Sequence, residues 1–239
     1  MSGNDMSVHL NRMESNEALV VCLADRIAGD LDDALQNRGS ATLAVSGGST
    51  PKPLFERLSD YPLDWPRITI TQVDERWVDE SHEDSNAWLI RHHLLRNAAA
   101  GANFVSMKTF AASPFAAEAE ASRKLAAFSD GIDVVVLGMG EDGHTASFFP
   151  GAASLQRAMD PAGEELCVAV RPPRAPYERM TLSLAALLRA RHIYLHITGE
   201  AKWQVFQRAM AGGSADEMPI RGFLLHDGTE LEVFHANGD

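Results

Sequence analysis

The densest chemistry in this 239-residue chain lies in Gly138-Met139-Gly140-Glu141-Asp142-Gly143-His144-Thr145-Ala146-Ser147. It follows the apolar run Ile132-Asp133-Val134-Val135-Val136-Leu137, which reads as a buried strand. A strand running into a loop with carboxylates and an imidazole, at the carboxyl edge of a parallel sheet, is a place where ligands bind. Histidine has the side-chain pKa nearest neutrality, so His144 fixed beside Asp142 suits a general base. Gly138, Gly140 and Gly143 also fit the dinucleotide spacing G-x-G-x-x-G. Glu141 and Asp142, however, put negative charge where a pyrophosphate would lie, and Pro150 cuts off the long helix such a site needs. No nicotinamide cofactor is expected.

A second stretch, Ala41-Thr42-Leu43-Ala44-Val45-Ser46-Gly47-Gly48-Ser49-Thr50-Pro51, takes another strand into glycines, hydroxyls and a proline. Pro51 suits the first turn of a helix that Ser49 or Thr50 caps. Backbone N–H groups of Ser46, Gly47, Gly48, Ser49 and Thr50 then form a phosphate cradle in outline; an ordinary strand-turn-helix corner is the alternative. It is not the nucleotide P-loop, because no Gly-Lys-Ser/Thr follows the glycines. A third stretch ends an alternating strand in Asp74-Glu75-Arg76. Arg76 offers a forked donor for a carbonyl or phosphate oxygen; a surface ion pair among the three is the alternative. Arg179, placed just before a helix, and Lys202, in the first turn of another, are further cations. A lysine at a helix start opposes the dipole, and an anion held at the same sheet edge would explain it; a solvated face is the alternative.

The elements that position these residues alternate. Helices are expected over 14–36 (Leu19, Leu23, Ile27, Leu31 and Leu35 recurring every fourth residue), 51–58, 86–97, 114–128, 182–189 and 200–210. Strands are expected over 41–45, 68–76, 132–137, 166–170, 192–198 and 231–235. This order calls for an α/β fold: a single-domain three-layer α/β/α open sheet over residues 1–239, Rossmann-like and mostly parallel. The 172–176 stretch, Pro-Pro-Arg-Ala-Pro, is a lid or an extended connection. Residues 1–11 are polar and left open between order and disorder.

A hydrophobic content of 45% supports a substantial core, and a net charge of −12 excludes a general nucleic-acid binder. Cys22 and Cys167, the two cysteines, sit in apolar runs and read as packing residues. His196 lies on a strand and faces the core or a neighbouring layer, and no metal-ligand spacing falls on a suitable element, so no metal is expected. No signal peptide or membrane span is read, and a cytoplasmic location is the expectation.

Taken in order, Val45-Ser46-Gly47-Gly48-Ser49-Thr50-Pro51, Asp74-Glu75-Arg76-Trp77-Val78 with Asp84-Ser85-Asn86, the 138–147 loop, Arg179-Met180-Thr181-Leu182 and Gly199-Glu200-Ala201-Lys202 resemble the 6-phosphogluconolactonase family, across residues 18–233. The resemblance implies a Rossmann-like sheet between helices, and metal-independent hydrolysis of 6-phosphoglucono-δ-lactone to 6-phosphogluconate in the oxidative pentose phosphate pathway. On this reading His144 is the base, Asp142 sets its tautomer or bonds a sugar hydroxyl, and Arg76 faces the oxyanion. Ser46, Gly47, Gly48, Ser49, Thr50, Asp74, Arg179 and Lys202 bind substrate. The partner is a small sugar-phosphate lactone, held by a monomer or homodimer. Phe148 stands where many members carry Leu. Glucosamine-6-phosphate deaminases of the same superfamily carry a glutamate where this chain has Phe149, and tend to carry an aromatic in place of Arg76. A sugar-phosphate sensor without turnover is the non-enzymatic alternative.

Overall fold

The computed structural model describes residues 8–226 and 228–238. In chain order these form β1 (Val8–Met13), α1 (Asn16–Arg38), β2 (Ala41–Val45), α2 (Lys52–Leu58), β3 (Ile68–Gln72) and β4 (Asp74–Arg76). Then come α3 (Asn86–His93), β5 (Asn103–Phe104), α4 (Pro114–Lys124), β6 (Val134–Leu137), α5 (Leu155–Ala158), β7 (Cys167–Val170) and β8 (Arg179–Leu182). The last are α6 (Leu184–Leu188), β9 (His192–Thr198), α7 (Glu200–Met210), α8 (Arg221–Leu224) and β10 (Leu231–Ala236).

Seven strands pair in the order β1-β10-β9-β6-β2-β3-β5, and every pairing among them is parallel. The strands read as apolar runs because both faces are covered. In β6, Val134 and Val136 enter one apolar cluster with α1, α2 and α3, while Val135 and Leu137 enter the other with α4, α6, α7 and α8. That alternation is the strand period of two, expressed with apolar residues on each side. Helix α1 buries Leu19, Leu23, Ile27, Leu31 and Leu35. Ser15 caps its start by accepting from the Ala18 N–H, and Gly39, at φ +79°, ends it with its N–H on the Leu35 carbonyl. The expected three-layer, parallel α/β architecture is therefore present. No helix among the described residues is long and apolar enough to cross a membrane.

A small antiparallel sheet, β4-β8-β7, corrects part of the expectation. Asp74, Glu75 and Arg76 do not extend β3; the chain crosses at Val73 into the second sheet. The Val73 N–H donates to the Val45 carbonyl of the large sheet, and the Val73 carbonyl accepts from the Leu182 N–H of the small one, at 2.9 Å each. Arg179 is a strand residue rather than the approach to a helix. The expected 182–189 helix is only Leu184–Leu188, because Ser183 is its cap, accepting from the Ala186 N–H at 3.2 Å. The strand near 166–170 belongs to this antiparallel sheet, and the 172–176 stretch lies in the connection between its paired strands β7 and β8. The 86–97 helix stops at His93, and the 114–128 helix stops at Lys124, with a separate 3-10 turn over Ala126–Phe128. Residues 1–7 lie outside the described residues, but Val8–Met13 is an edge strand parallel to β10.

Candidate active site

A cavity of about 250 Å³, room for one small metabolite, opens where β2, β6 and β9 end, with the turn after β2 on one side and the loop after β6 on the other. The His144 loop closes on itself. The Gly140 N–H donates to the His144 carbonyl at 2.9 Å, and the Gly143 N–H to the Gly140 carbonyl at 3.1 Å. The His144 ring folds over Gly140 so closely that a Cβ there would stand 2.2 Å from it, which excludes any side chain. Asp142 Oδ1 accepts from the His144 N–H at 3.0 Å and lies 2.5 Å from Nδ1 of the ring. The bond from His144 holds the Asp142 carboxyl below the usual carboxylate range. A carboxylate at Nδ1 places the neutral ring's proton there and leaves the lone pair on Nε2. Phe149 packs on the imidazole with ring centroids 4.5 Å apart.

Across the cavity, Ser46 accepts from the Gly138 N–H at 3.3 Å, tying the two loops together. Gly47 lies against Asn86: a Cβ at 47 would meet the Asn86 amide oxygen at 1.8 Å. Gly48, at φ +97°, has no heavy atom within 4 Å of its missing Cβ and faces open space. Neither Ser49 nor Thr50 caps α2; the cap position is Pro51, with no side-chain bond. Thr50 instead accepts from Lys202 Nζ at 3.5 Å, so the lysine of α7 reaches the turn. Burial pushes the Lys202 ammonium pKa down, and Glu141 partly opposes this.

Asp74, Glu75 and Arg76 form no surface ion pair. Glu75 is 1% exposed and accepts from five groups. Oε1 takes the N–H of Arg76 and of Asn86, each at 2.7 Å. Oε2 takes the Ala87 N–H at 2.8 Å and both Ser85 Oγ and Gln72 Nε2 at 3.0 Å. Burial raises the Glu75 pKa, and the N–H donors of Asn86 and Ala87 oppose this. The carboxylate thereby ties the start of α3 to β4. Asn86 Nδ2 donates to the Asp74 carbonyl at 2.7 Å, and Ser147 Oγ to Asp74 Oδ2 at 2.5 Å. Arg76 Nη1 donates to the Asp84 carbonyl at 2.7 Å, which anchors one arm of the fork beside the cavity.

Ser46, Gly47, Gly48, Ser49, Thr50, Asp74, Arg76, His144 and Lys202 all line the cavity. Asp142 stands behind His144. Arg179 is not in the wall. It pairs with Arg76 across β4 and β8, is 6% exposed, and holds its guanidinium 5.9 Å from the Phe149 ring. Its Nε and Nη1 have no hydrogen-bond partner among the described residues, and burial lowers its pKa.

A family model described as glucosamine-6-phosphate isomerases/6-phosphogluconolactonase matches residues 14–232. The chain belongs to this family. The 6-phosphogluconolactonase of Rhizobium meliloti is 42% identical over 231 residues, covering 97% of this chain and 100% of that protein. The Pseudomonas aeruginosa 6-phosphogluconolactonase is 47% identical over 202 residues, or 84% of this chain and 85% of that one. A crystal structure of a 6-phosphogluconolactonase from Shewanella baltica superposes with a TM-score of 0.94 at 42% identity, covering 98% and 100% of the two chains. A glucosamine-6-phosphate deaminase described as monomeric shares the fold, with a TM-score of 0.79 at 16% identity over 95% and 97% of the chains.

Within this member of the glucosamine-6-phosphate isomerase/6-phosphogluconolactonase family, three residues of the site carried no assigned role in the sequence reading. Asn86 and Ser147 hold Asp74, and Glu75 holds Asn86. Their partners lie 12, 73 and 11 residues away, so the motifs that contain them do not reveal these pairings.

Proposed function

We propose that the chain hydrolyses 6-phosphoglucono-1,5-lactone to 6-phosphogluconate, the lactone-opening step of the oxidative pentose phosphate pathway, with His144 as general base. One relationship carries the reading: a carboxylate-oriented imidazole and a glycine-rich turn with a lysine face one cavity of metabolite size. The N–H groups of Gly47, Gly48, Ser49 and Thr50, with Lys202, bind the phosphate and so fix the distance from the anionic end of the sugar to its carbonyl. His144 Nε2 takes a proton from water as the oxygen attacks the lactone carbonyl carbon. The carbonyl electron pair moves to oxygen, where Arg76 stabilises the charge. When that pair returns, the bond from the carbonyl carbon to the ring oxygen breaks. His144 gives its proton to that leaving oxygen. Asp142 stabilises the imidazolium between the two transfers. Asp74, its carboxylate held by Ser147, accepts from a sugar hydroxyl. Arg179 binds substrate only if its guanidinium turns forward past Arg76; as a fixed cation behind the wall it adds positive potential at the reacting end.

Glucosamine-6-phosphate deamination fits less well. Phe149 presents hydrocarbon to His144, where a proton relay would need a carboxylate. The two free cysteines suit a reducing, cytoplasmic setting. Acid release from freshly prepared lactone, followed by pH-stat alongside ammonia release from glucosamine 6-phosphate, tests the assignment. Lactone opening well above the spontaneous rate is expected; no acceleration, or ammonia release, overturns it.

A further inference from the structure

His196 is the feature of this site that the reaction above leaves unused. It lies near the end of β9, on the same face of the sheet as Tyr194, and is 2% exposed. Neither ring nitrogen has a hydrogen-bond partner among the described residues. Leaving a polar group buried without a partner costs about 1–3 kcal/mol, so such groups in native folds call for an explanation. His235, the other buried histidine of the large sheet, likewise has no hydrogen-bond partner on either ring nitrogen among the described residues, but it packs its ring on Trp203 at 4.7 Å and does not line the cavity, so only His196 has a ligand space beside it. His196 lines the same cavity as Ser46, Thr50 and Lys202, and Lys202 lies close enough to act on its ring.

We propose that His196 is a further substrate-binding residue of this site, donating a ring N–H to the phosphate that the turn after β2 and Lys202 hold. The inference rests on the lactonase reading above. Burial, with Lys202 nearby, lowers the ring's pKa to about 4, so it enters the complex uncharged. An uncharged imidazole always carries one N–H, and its site keeps the desolvation cost of a second buried cation out of the free enzyme. Lys202 supplies the charge and His196 supplies direction. The oxygens of a phosphate dianion only accept, so they are better partners for that N–H than a sugar hydroxyl, which must also place its own proton.

The test uses the full chain with His196→Leu and His196→Gln, the glutamine retaining an N–H donor, each checked for folding by thermal denaturation. For the phosphorylated lactone, His196→Leu should raise KM about tenfold with kcat within about twofold. The inhibition constant of inorganic phosphate should rise in parallel. His196→Gln should recover most of the loss, and hydrolysis of unphosphorylated glucono-1,5-lactone should show no matching change in KM. A folded leucine variant with unchanged KM and phosphate inhibition overturns the proposal and leaves His196 as a packing residue. Should the leucine variant fail to fold, ring ¹⁵N spectra of wild-type protein decide: inorganic phosphate should shift the His196 resonances, and their constancy overturns the assignment. A wild-type chain without lactonase activity sinks the reaction but leaves the phosphate-induced shift readable, so the two failures are distinct.

Discussion

Ser147 Oγ lies 2.5 Å from Asp74 Oδ2, and both residues are buried, so a hydroxyl from the loop after β6 orients a carboxylate at the start of β4. This bond joins the loop after β6 to the small sheet, as the Gly138 N–H on Ser46 joins that loop to the turn after β2. Removing the hydroxyl leaves Asp74 with a single weak side-chain donor, Asn86 Nδ2 at 3.4 Å. Ser147→Ala should lower kcat/KM about tenfold and stability by about 1–3 kcal/mol. Steady-state kinetics and urea unfolding check this; unchanged values for both would show that Asp74 keeps its rotamer unaided.

His144→Ala should lower kcat by about 10²–10⁴-fold with KM little changed. Asp142→Asn tests the tautomer separately. An amide facing Nδ1 can donate to it and move the ring proton to Nε2, so kcat should fall at least about tenfold although the ring stays in place. Full kcat in His144→Ala removes the imidazole from the chemistry, whereas full kcat in Asp142→Asn removes only the tautomer role of Asp142.

On the proposed reading, Lys202 acts at the other end of the substrate. Lys202→Ala should raise KM for the phosphorylated lactone about tenfold or more, the scale of a lost hydrogen bond from a charged donor. Hydrolysis of unphosphorylated lactone should change far less. Equal losses on the two substrates would remove Lys202 from phosphate recognition.

Burial of His196 also predicts a pH dependence of stability. Its pKa drops from 6.5 unfolded to about 4 folded. Between these values the unfolded chain binds a proton that the native chain does not, so this group costs stability as pH falls from 6.5 towards 4 and adds no further loss below. From pH 7 to pH 5 the contribution is about 2 kcal/mol. Urea unfolding at both pH values should therefore show a larger drop for wild type than for His196→Gln. Parallel drops would mean that the ring is solvated.

Most of the large sheet was legible because burial on both faces turns each central strand into an apolar run, as in Val134–Leu137. Val8–Met13 was not, since an edge strand with exposed His9 and Leu10 carries no such run. Arg179–Leu182 was misread because an arginine and a threonine interrupt its apolar character, although all four residues are buried. The loops with glycines, His144 and Lys202 announced themselves by residue type. The buried polar framework did not: Glu75 in Asp-Glu-Arg looks like a surface charge until its five donors are placed around it.

The crossing at Val73 divides the proposed active site between two structural units. His144, Lys202 and the glycine turn hang from the large sheet, whereas Asp74 and Arg76 arrive with the small one. A chain that has assembled its parallel core but not yet docked the β4-β8-β7 ribbon would hold an anion without turning over a lactone. Activity therefore needs both sheets docked, so a variant that loosens the β4-β8-β7 ribbon should lose activity before helix content changes.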